Sequence, residues 1–203
     1  HRQYLVNSVN FIADSEMTPI RKGSFTGFDS LSYKGYNMYY KDKMFLRPKL
    51  LVDFNRIRPG EFYSERDVQN TYSALGRLRM LKYSNIRFKE VNVSDSTKLD
   101  AYIVMSKGQN KSVSFEIEGT NSAGDLGAAA SISFQHRNVF KGSETFTMKV
   151  RGAYEAITGL GQDYVNDNYT EYGVESSLNF PEFMFPFLSS DFKRKIKATS
   201  EVG

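Results

Sequence analysis

The sequence predicts an α+β protein in which a mixed N-terminal part, strands flanking two helices, gives way to antiparallel strands with two unlike faces. Three observations carry this. From Ser112 to Tyr154 apolar and polar residues alternate through three segments joined by Gly- and Asn-rich turns. From Ser64 to Leu78 apolar residues recur at helical spacing behind a capping serine. Between Lys107 and Lys111 the character of the chain changes, which divides it into residues 1–107 and 108–203.

The alternation is explicit. Val113, Phe115 and Ile117 point one way, and Ser114, Glu116 and Glu118 the other. Phe146, Met148, Val150 and Tyr154 likewise oppose Thr145, Thr147, Lys149 and Arg151. Such a strand suits lipid on one side and an aqueous lumen on the other. It equally suits a soluble antiparallel sheet with one wet face, and periodicity alone leaves both open.

Residues 1–107 read as β, long insertion, α, α, β, β. Tyr4 to Ile12 alternates loosely and forms a first strand. Asp14 to Lys43 shows no sustained period and reads as a long connection with a short extended piece at Tyr36 to Tyr40. Pro48 opens a helical segment in which Leu51, Phe54 and Ile57 share a face, and Pro59-Gly60 stops it. Ser64 begins the best helix: its hydroxyl caps the free amides, Asp67 lies near the positive dipole end, and Val68, Tyr72, Leu75 and Leu78 form a core stripe. Strands at Tyr83–Val91 and Leu99–Met105 follow, and the second, covered on both faces, is a central strand.

Composition narrows the function. Net charge is +4, but acidic and basic residues are interspersed, so there is no nucleic-acid footprint. Only Lys193, Arg194, Lys195 and Lys197 cluster, in what reads as a solvated turn. There is no Cys, hence no disulfide framework, thiolate nucleophile or Cys-based metal site. The chain starts at His1 without a charged and then apolar leader, and reads as an excised fragment. No apolar run is long enough for a spanning helix, so membrane contact must come through strands. The supply of 16 Phe and 13 Tyr fits a β-rich protein with aromatic girdles.

No catalytic constellation emerges. His1 and His136 are far apart, and His136 lies at a predicted strand end, where a surface or interface role is the simpler account. Glu116 and Glu118 share one strand face rather than flanking a substrate from opposite sides. Gly119 to Gly127 lacks the helix and Lys-Ser/Thr of a phosphate loop. The expectation is a protein that is not an enzyme and needs no cofactor or metal.

Gly60-Glu61-Phe62-Tyr63-Ser64, a capped helix ending in Leu78-Arg79-Met80-Leu81-Lys82-Tyr83, and two strands resemble a POTRA domain, with a long insertion at 14–43. Glu116 to Gly127 and Arg137 to Glu144 resemble the first barrel hairpin of the Omp85 superfamily, in particular the BamA/TamA-like assembly factors of Bacteroidetes-type bacteria. With this resemblance the barrel becomes the favoured reading. It implies a location in the bacterial outer membrane, the POTRA-like part in the periplasm, and the folding and insertion of β-barrel clients with accessory assembly proteins as partners.

The topology expected for 108–203 has strand one running outward from Lys111 and Gly119 to Leu126 as an external loop. Strand two (Gly127–His136) returns to a tight periplasmic turn at Asn138 to Gly142, with Gly142 at positive φ. Strand three (Glu144–Tyr154), a loop at 155–168, strand four (Tyr169–Phe180) and a fifth starting near Lys197 complete the set. Lys149 and Arg151 would pair with Glu171 and Glu175. Closed barrels need eight or more strands, so this set is incomplete and its open edges give copies a route to self-association.

Two strands are candidate sites. In the POTRA-like part the client-binding edge is Tyr83, Ser84, Asn85, Ile86, Arg87, Phe88, Lys89 and Glu90, with Tyr83, Ile86 and Phe88 offering pockets and Asn85, Arg87 and Lys89 discouraging random pairing. The resemblance further implies that the first barrel strand, Ser112, Val113, Ser114, Phe115, Glu116, Ile117 and Glu118, is a gate whose unpaired edge templates client strands. The alternative is a transport or binding module without foldase activity, such as a two-partner secretion pore or a surface β-protein. Tyr36, Tyr39 and Tyr40 would be the aromatic cluster of a carbohydrate binder, but core packing explains them more simply.

Overall fold

The computed structural model describes residues 3–13, 25–94, 96–122, 125–156, 168–181 and 200–202. The Lys193–Lys197 cluster lies outside these residues, as do most of the 155–168 connection and residues 14–24 of the insertion. Ten strands and two helices are described: β1 (Leu5–Ala13), β2 (Asp29–Tyr33), β3 (Tyr36–Tyr40), α1 (Pro48–Phe54), α2 (Glu65–Leu75), β4 (Leu81–Val93), β5 (Ser96–Lys107), β6 (Lys111–Ser122), β7 (Asp125–Arg137), β8 (Thr145–Ala156), β9 (Asn168–Phe180) and β10 (Ser200–Val202). They form two five-stranded sheets, ordered β2-β3-β1-β5-β4 and β10-β9-β8-β7-β6.

In the first sheet β1 runs parallel to β5, and α1 and α2 lie on the crossover between them. Pro48 sits in the first turn of α1, where its missing N–H costs nothing. The helix ends at Phe54, earlier than Pro59-Gly60 suggests. Asn55 turns extended, and its buried side chain accepts the Ile57 N–H (3.0 Å) and donates to the Ile57 carbonyl (2.7 Å). Ile57 is therefore buried from a loop, not from a helix. Ser64 caps α2 as its sequence predicts, accepting from the Asp67 N–H at 3.3 Å.

The core lies between the helices and one face of this sheet. Leu50, Leu51, Val52, Phe54, Val68 and Leu75 pack with Val9, Phe11, Met38, Ala101, Ile103 and Met105. Leu78 also joins the core, although it follows the end of α2. β5 is an interior strand, between β1 and the edge strand β4, and is covered on both faces, with Ala101, Ile103, Val104 and Met105 all buried.

The insertion is not a plain connection. Its described part contains the β2–β3 hairpin, turned by Lys34 (φ 50°) and Gly35 (φ 82°), the two positive angles a type I′ turn needs. β3, the extended piece expected at Tyr36 to Tyr40, adds to β1 in parallel. The segment before the hairpin folds over the sheet face opposite the helices: Phe25 stacks on Tyr39 at 4.0 Å and 10° and approaches Tyr102 at 6.4 Å. Beneath this cover a polar ladder runs from Asn37 through Asn10 and Ser8 to Asp100.

The second sheet is an antiparallel meander. β6 to β9 are each 12 or 13 residues long, above the roughly 9–11 that a tilted membrane strand requires. The expected external loop from Gly119 to Leu126 is absent: β6 and β7 stay paired up to Ser122 opposite Asp125. Gly119 to Ser122 pair with Ala128 to Asp125, so the small and polar residues that resembled a loop carry the ladder on through their backbones.

Candidate functional site

The first candidate, Tyr83 to Glu90, lies in β4 at an edge of the first sheet. The other side of the three-stranded unit β1-β5-β4 is sealed by the chain itself. Residues 60–63 pair with the start of β1, through the Gly60 N–H to Val6 carbonyl (2.8 Å), Val6 N–H to Glu61 carbonyl (2.9 Å) and Tyr63 N–H to Tyr4 carbonyl (2.8 Å). β3 then pairs with Asn10 to Ala13. The long edge left to a partner is β4, the short one β2.

This edge is not open along its whole length. The Ile86 N–H donates to the Tyr72 hydroxyl at 2.8 Å, and that hydroxyl donates to the Ile86 carbonyl at 3.4 Å. Since Ile86 directs both backbone groups away from β5, the alternation of an antiparallel ladder points those of Ser84, Phe88 and Glu90 outward too. Tyr72, assigned by its spacing to the core stripe, thus also blunts the strand edge. Its hydroxyl is a signal that apolar periodicity does not register.

The expected pockets need correction. Ile86 is buried in the core, and Phe88 packs against it with its ring edge-on to Tyr63 at 5.0 Å. Tyr83 is exposed on the opposite face with Asn85, Arg87 and Lys89, because side chains alternate along the strand. A groove bounded by Tyr63, Asp67, Val68 and Phe88 lies beside the edge instead.

The second candidate, Ser112 to Glu118, lies in β6, the edge strand of the second sheet. Val113, Phe115 and Ile117 are 69%, 63% and 72% exposed, so among the described residues no layer covers them. The register aligns them with Phe134, Ile132 and Ala130 of β7, and these with Met148, Val150 and Gly152 of β8. One continuous apolar face results, extending to Val174 and Tyr172 of β9.

The opposite face is polar and internally paired. Lys149 reaches Glu116 at 3.7 Å and Arg151 reaches Glu118 at 3.4 Å. The expected partners Glu171 and Glu175 are therefore displaced by carboxylates two strands away. The small side chains of Ala129 and Ser131 let the long cations arch over β7, and both lie buried beneath them. These pairs pin the edge strand β6 to β8.

The two sheets meet at the turn after β7. Asn138, Lys141 and Ser143 hold the positive φ angles (67°, 60° and 60°), not Gly142 as expected. Gly142 is required for close approach instead, since a Cβ there would overlap the Arg47 guanidinium and the Glu144 carboxylate. Glu144 is 2% exposed and accepts from Arg47 Nη2 (3.0 Å), the Gly142 N–H (2.9 Å) and the Phe140 N–H (3.1 Å). Asn138 donates to the Phe45 carbonyl (2.6 Å), Met80 donates its N–H to Ser143 Oγ (2.9 Å), and the Arg47 N–H donates to the Lys141 carbonyl (2.7 Å). The turn is thus plugged into the loops before α1 and after α2. Arg137 to Glu144 resembles a hairpin motif in sequence, but its contact with Arg47 spans 97 residues and carries no local signal.

Among the described residues no group of His, Asp or Glu is placed to hold a metal ion. His136 lies near the end of β7, opposite Lys111 and Phe146.

No family model and no curated protein sequence matches the chain. Among solved structures it is similar to the crystal structure of BamA from Haemophilus ducreyi lacking POTRA domains 1–3, at 12% identity and a TM-score of 0.36 over 76% of this chain and 37% of that one. It is also similar to CdiB from Acinetobacter baumannii, at 8% identity and a TM-score of 0.42 over 88% of this chain and 50% of that one. The chain spans no more than half the length of either.

Proposed function

We propose that this chain is part of an outer-membrane assembly factor: a POTRA-type domain joined to the leading strands of a transmembrane β-barrel. The observation that carries the reading is the second sheet. Its strands are long enough to span, its apolar face has no covering layer, its polar face pairs its own charges, and its leading edge at β6 has no partner among the described residues. A soluble sheet with one wet face would instead bury the apolar side.

In this function the periplasmic POTRA-type domain receives unfolded β-barrel clients by strand addition along β4. The sealing of β1 by residues 60–63 and β3 supports that choice of edge. The client strand would enter beside the groove at Tyr63 and Phe88, displacing the Tyr72 hydroxyl from Ile86. β6 then serves as the gate, its free edge templating client strands next to the membrane. Accessory assembly proteins complete the partner set.

Because the chain has no cysteine, single cysteines can be introduced cleanly. Photo-crosslinkers at Ser84, Glu90 and Ser114 of the full-length protein should capture an unfolded β-barrel client, and crosslinkers on the far side of the domain should not. Tethering β6 by a disulfide to the strand that closes the barrel should arrest client assembly. Unimpaired assembly with the tether in place would sink the gate. Capture of a secreted substrate passing through the lumen, with no effect of the tether, would favour a secretion pore.

A further inference from the structure

We infer that the junction between the two sheets is a docking surface for the anionic headgroups of the membrane leaflet that faces the mixed domain. This rests on the barrel reading above and adds a partner to it. Five exposed cations, Arg79, Lys82, Lys107, Lys111 and Lys141, gather around the connection at 108–110. Backbone geometry places them together. The Gly108 N–H donates to the Met80 carbonyl at 2.8 Å, and the Arg137 N–H donates to the Asn110 carbonyl at 2.6 Å. Lys107 pairs opposite Leu81, Lys111 opposite His136, and Met80 meets Ser143, two residues from Lys141.

None of the five has an acidic partner among the described residues. Glu144, in the same turn as Lys141, is buried and already held by Arg47. The opposite end of the same sheet carries the reverse charge: Asp125, Glu155 and Glu171 occur there, with no Lys or Arg in 119–128, 152–156 or 168–171. Between the two ends lies the uncovered apolar face. From Phe134 to Leu126 along β7 it runs about 27 Å, which at the roughly 40° tilt of barrel strands covers about 21 Å of the roughly 25 Å apolar band of outer-membrane barrels. If that face sits in hydrocarbon, the cationic end falls at headgroup depth, where Lys and Arg are attracted by anionic lipid. Phe140, 59% exposed beside Lys141, adds an interfacial aromatic. The domain is thereby held against the leaflet instead of swinging below it.

The test uses two single-cysteine forms of the full-length protein in vesicles, a fluorophore at Gln109→Cys for the junction and at Ile117→Cys for the apolar face. In vesicles of phosphatidylcholine with phosphatidylglycerol, headgroup-borne quencher should quench residue 109 at least about threefold more than in phosphatidylcholine alone. High salt, or the combined reversal Arg79→Glu, Lys82→Glu and Lys107→Glu, should abolish the difference. The milder Gln triple should halve it, and acyl-chain quenching at residue 117 should persist throughout. Equal quenching at 109 in both lipids, with 117 still quenched, overturns the inference and leaves the barrel standing. Inorganic phosphate at matched ionic strength should leave the difference in place, and its selective loss to phosphate overturns the headgroup assignment. Absence of acyl-chain quenching at 117 overturns the barrel reading, and this inference with it.

Discussion

Single side chains govern both candidate edges and the junction between the sheets. Glu144 is a buried carboxylate whose three hydrogen bonds organise the turn that joins the sheets. Glu144→Ala should cost about 2 kcal/mol in chemical denaturation. That is less than for a fully buried pair, because Arg47 is half exposed and can rehydrate. Arg47→Ala should cost more, because the carboxylate left behind is buried and keeps only two backbone donors against its charge. Tyr72 is the corresponding residue at the β4 edge. Tyr72→Phe keeps the ring and removes the hydroxyl that serves the Ile86 N–H and carbonyl. The expected loss is about 1 kcal/mol, with faster amide exchange at Ile86 read by NMR or mass spectrometry. In the proposed function the same variant should raise client capture at β4, because its edge is no longer occupied in cis. At Tyr102, burial first, and then Asp100 and Tyr39, push the phenol above its usual range. The folded state therefore holds this proton more tightly than the unfolded one. Stability should be unaffected below pH 10 and fall as pH rises from there through the folded value, and Tyr102→Phe should remove that part of the alkaline loss.

At the scale of elements, the insertion and the leading strand are each held by contacts that cross their neighbours. The β2–β3 hairpin adds to β1 in parallel, and Phe25 brings the preceding segment over the outer face at Tyr39 and Tyr102. This converts a strand that would be an edge into an interior one and directs strand addition to β4. β6 has a ladder on one side and two ion pairs that span β7. These pairs are partly exposed and contribute about 0.5 kcal/mol each. Lys149→Met with Arg151→Met should therefore leave overall stability nearly unchanged while increasing amide exchange along β6 relative to β7 and β8. Equal exchange in all three strands after the double change would show that the clasp does not restrain the gate.

For the whole molecule, the two sheets follow opposite logic. The first hides its apolar residues between helices and strands, and the second displays them. Leu51→Ala in the first core should cost about 3 kcal/mol, since Leu51 is fully buried. Ile117→Ala on the second face should cost little in stability, because Ile117 is 72% exposed. In water without lipid the uncovered face and the open β6 edge should drive the chain to self-associate, and detergent micelles should return it to a monomer in sedimentation.

Much of this was legible in the residues themselves, since helix starts, strand periods and turn glycines are local properties. Pro48 and Ser64 mark both helix starts, and the alternation from Val113 to Tyr154 marks the two faces of the second sheet. Local signals also misled where two geometries share one composition. Gly119 to Ser122 and Asp125 to Leu126 read as parts of a loop yet continue a ladder, and Gly142 reads as a positive-φ position yet serves close packing. What the sequence by itself determined is the order of elements and which side of each strand is apolar, because both depend on neighbours a few residues apart. Only the tertiary structure decided that β3 seals β1, that Tyr72 occupies the β4 edge, that Lys149 and Arg151 choose Glu116 and Glu118, and that Glu144 locks to Arg47. Each of these joins residues well apart in the chain, and which partner is taken depends on which backbones the fold brings within reach.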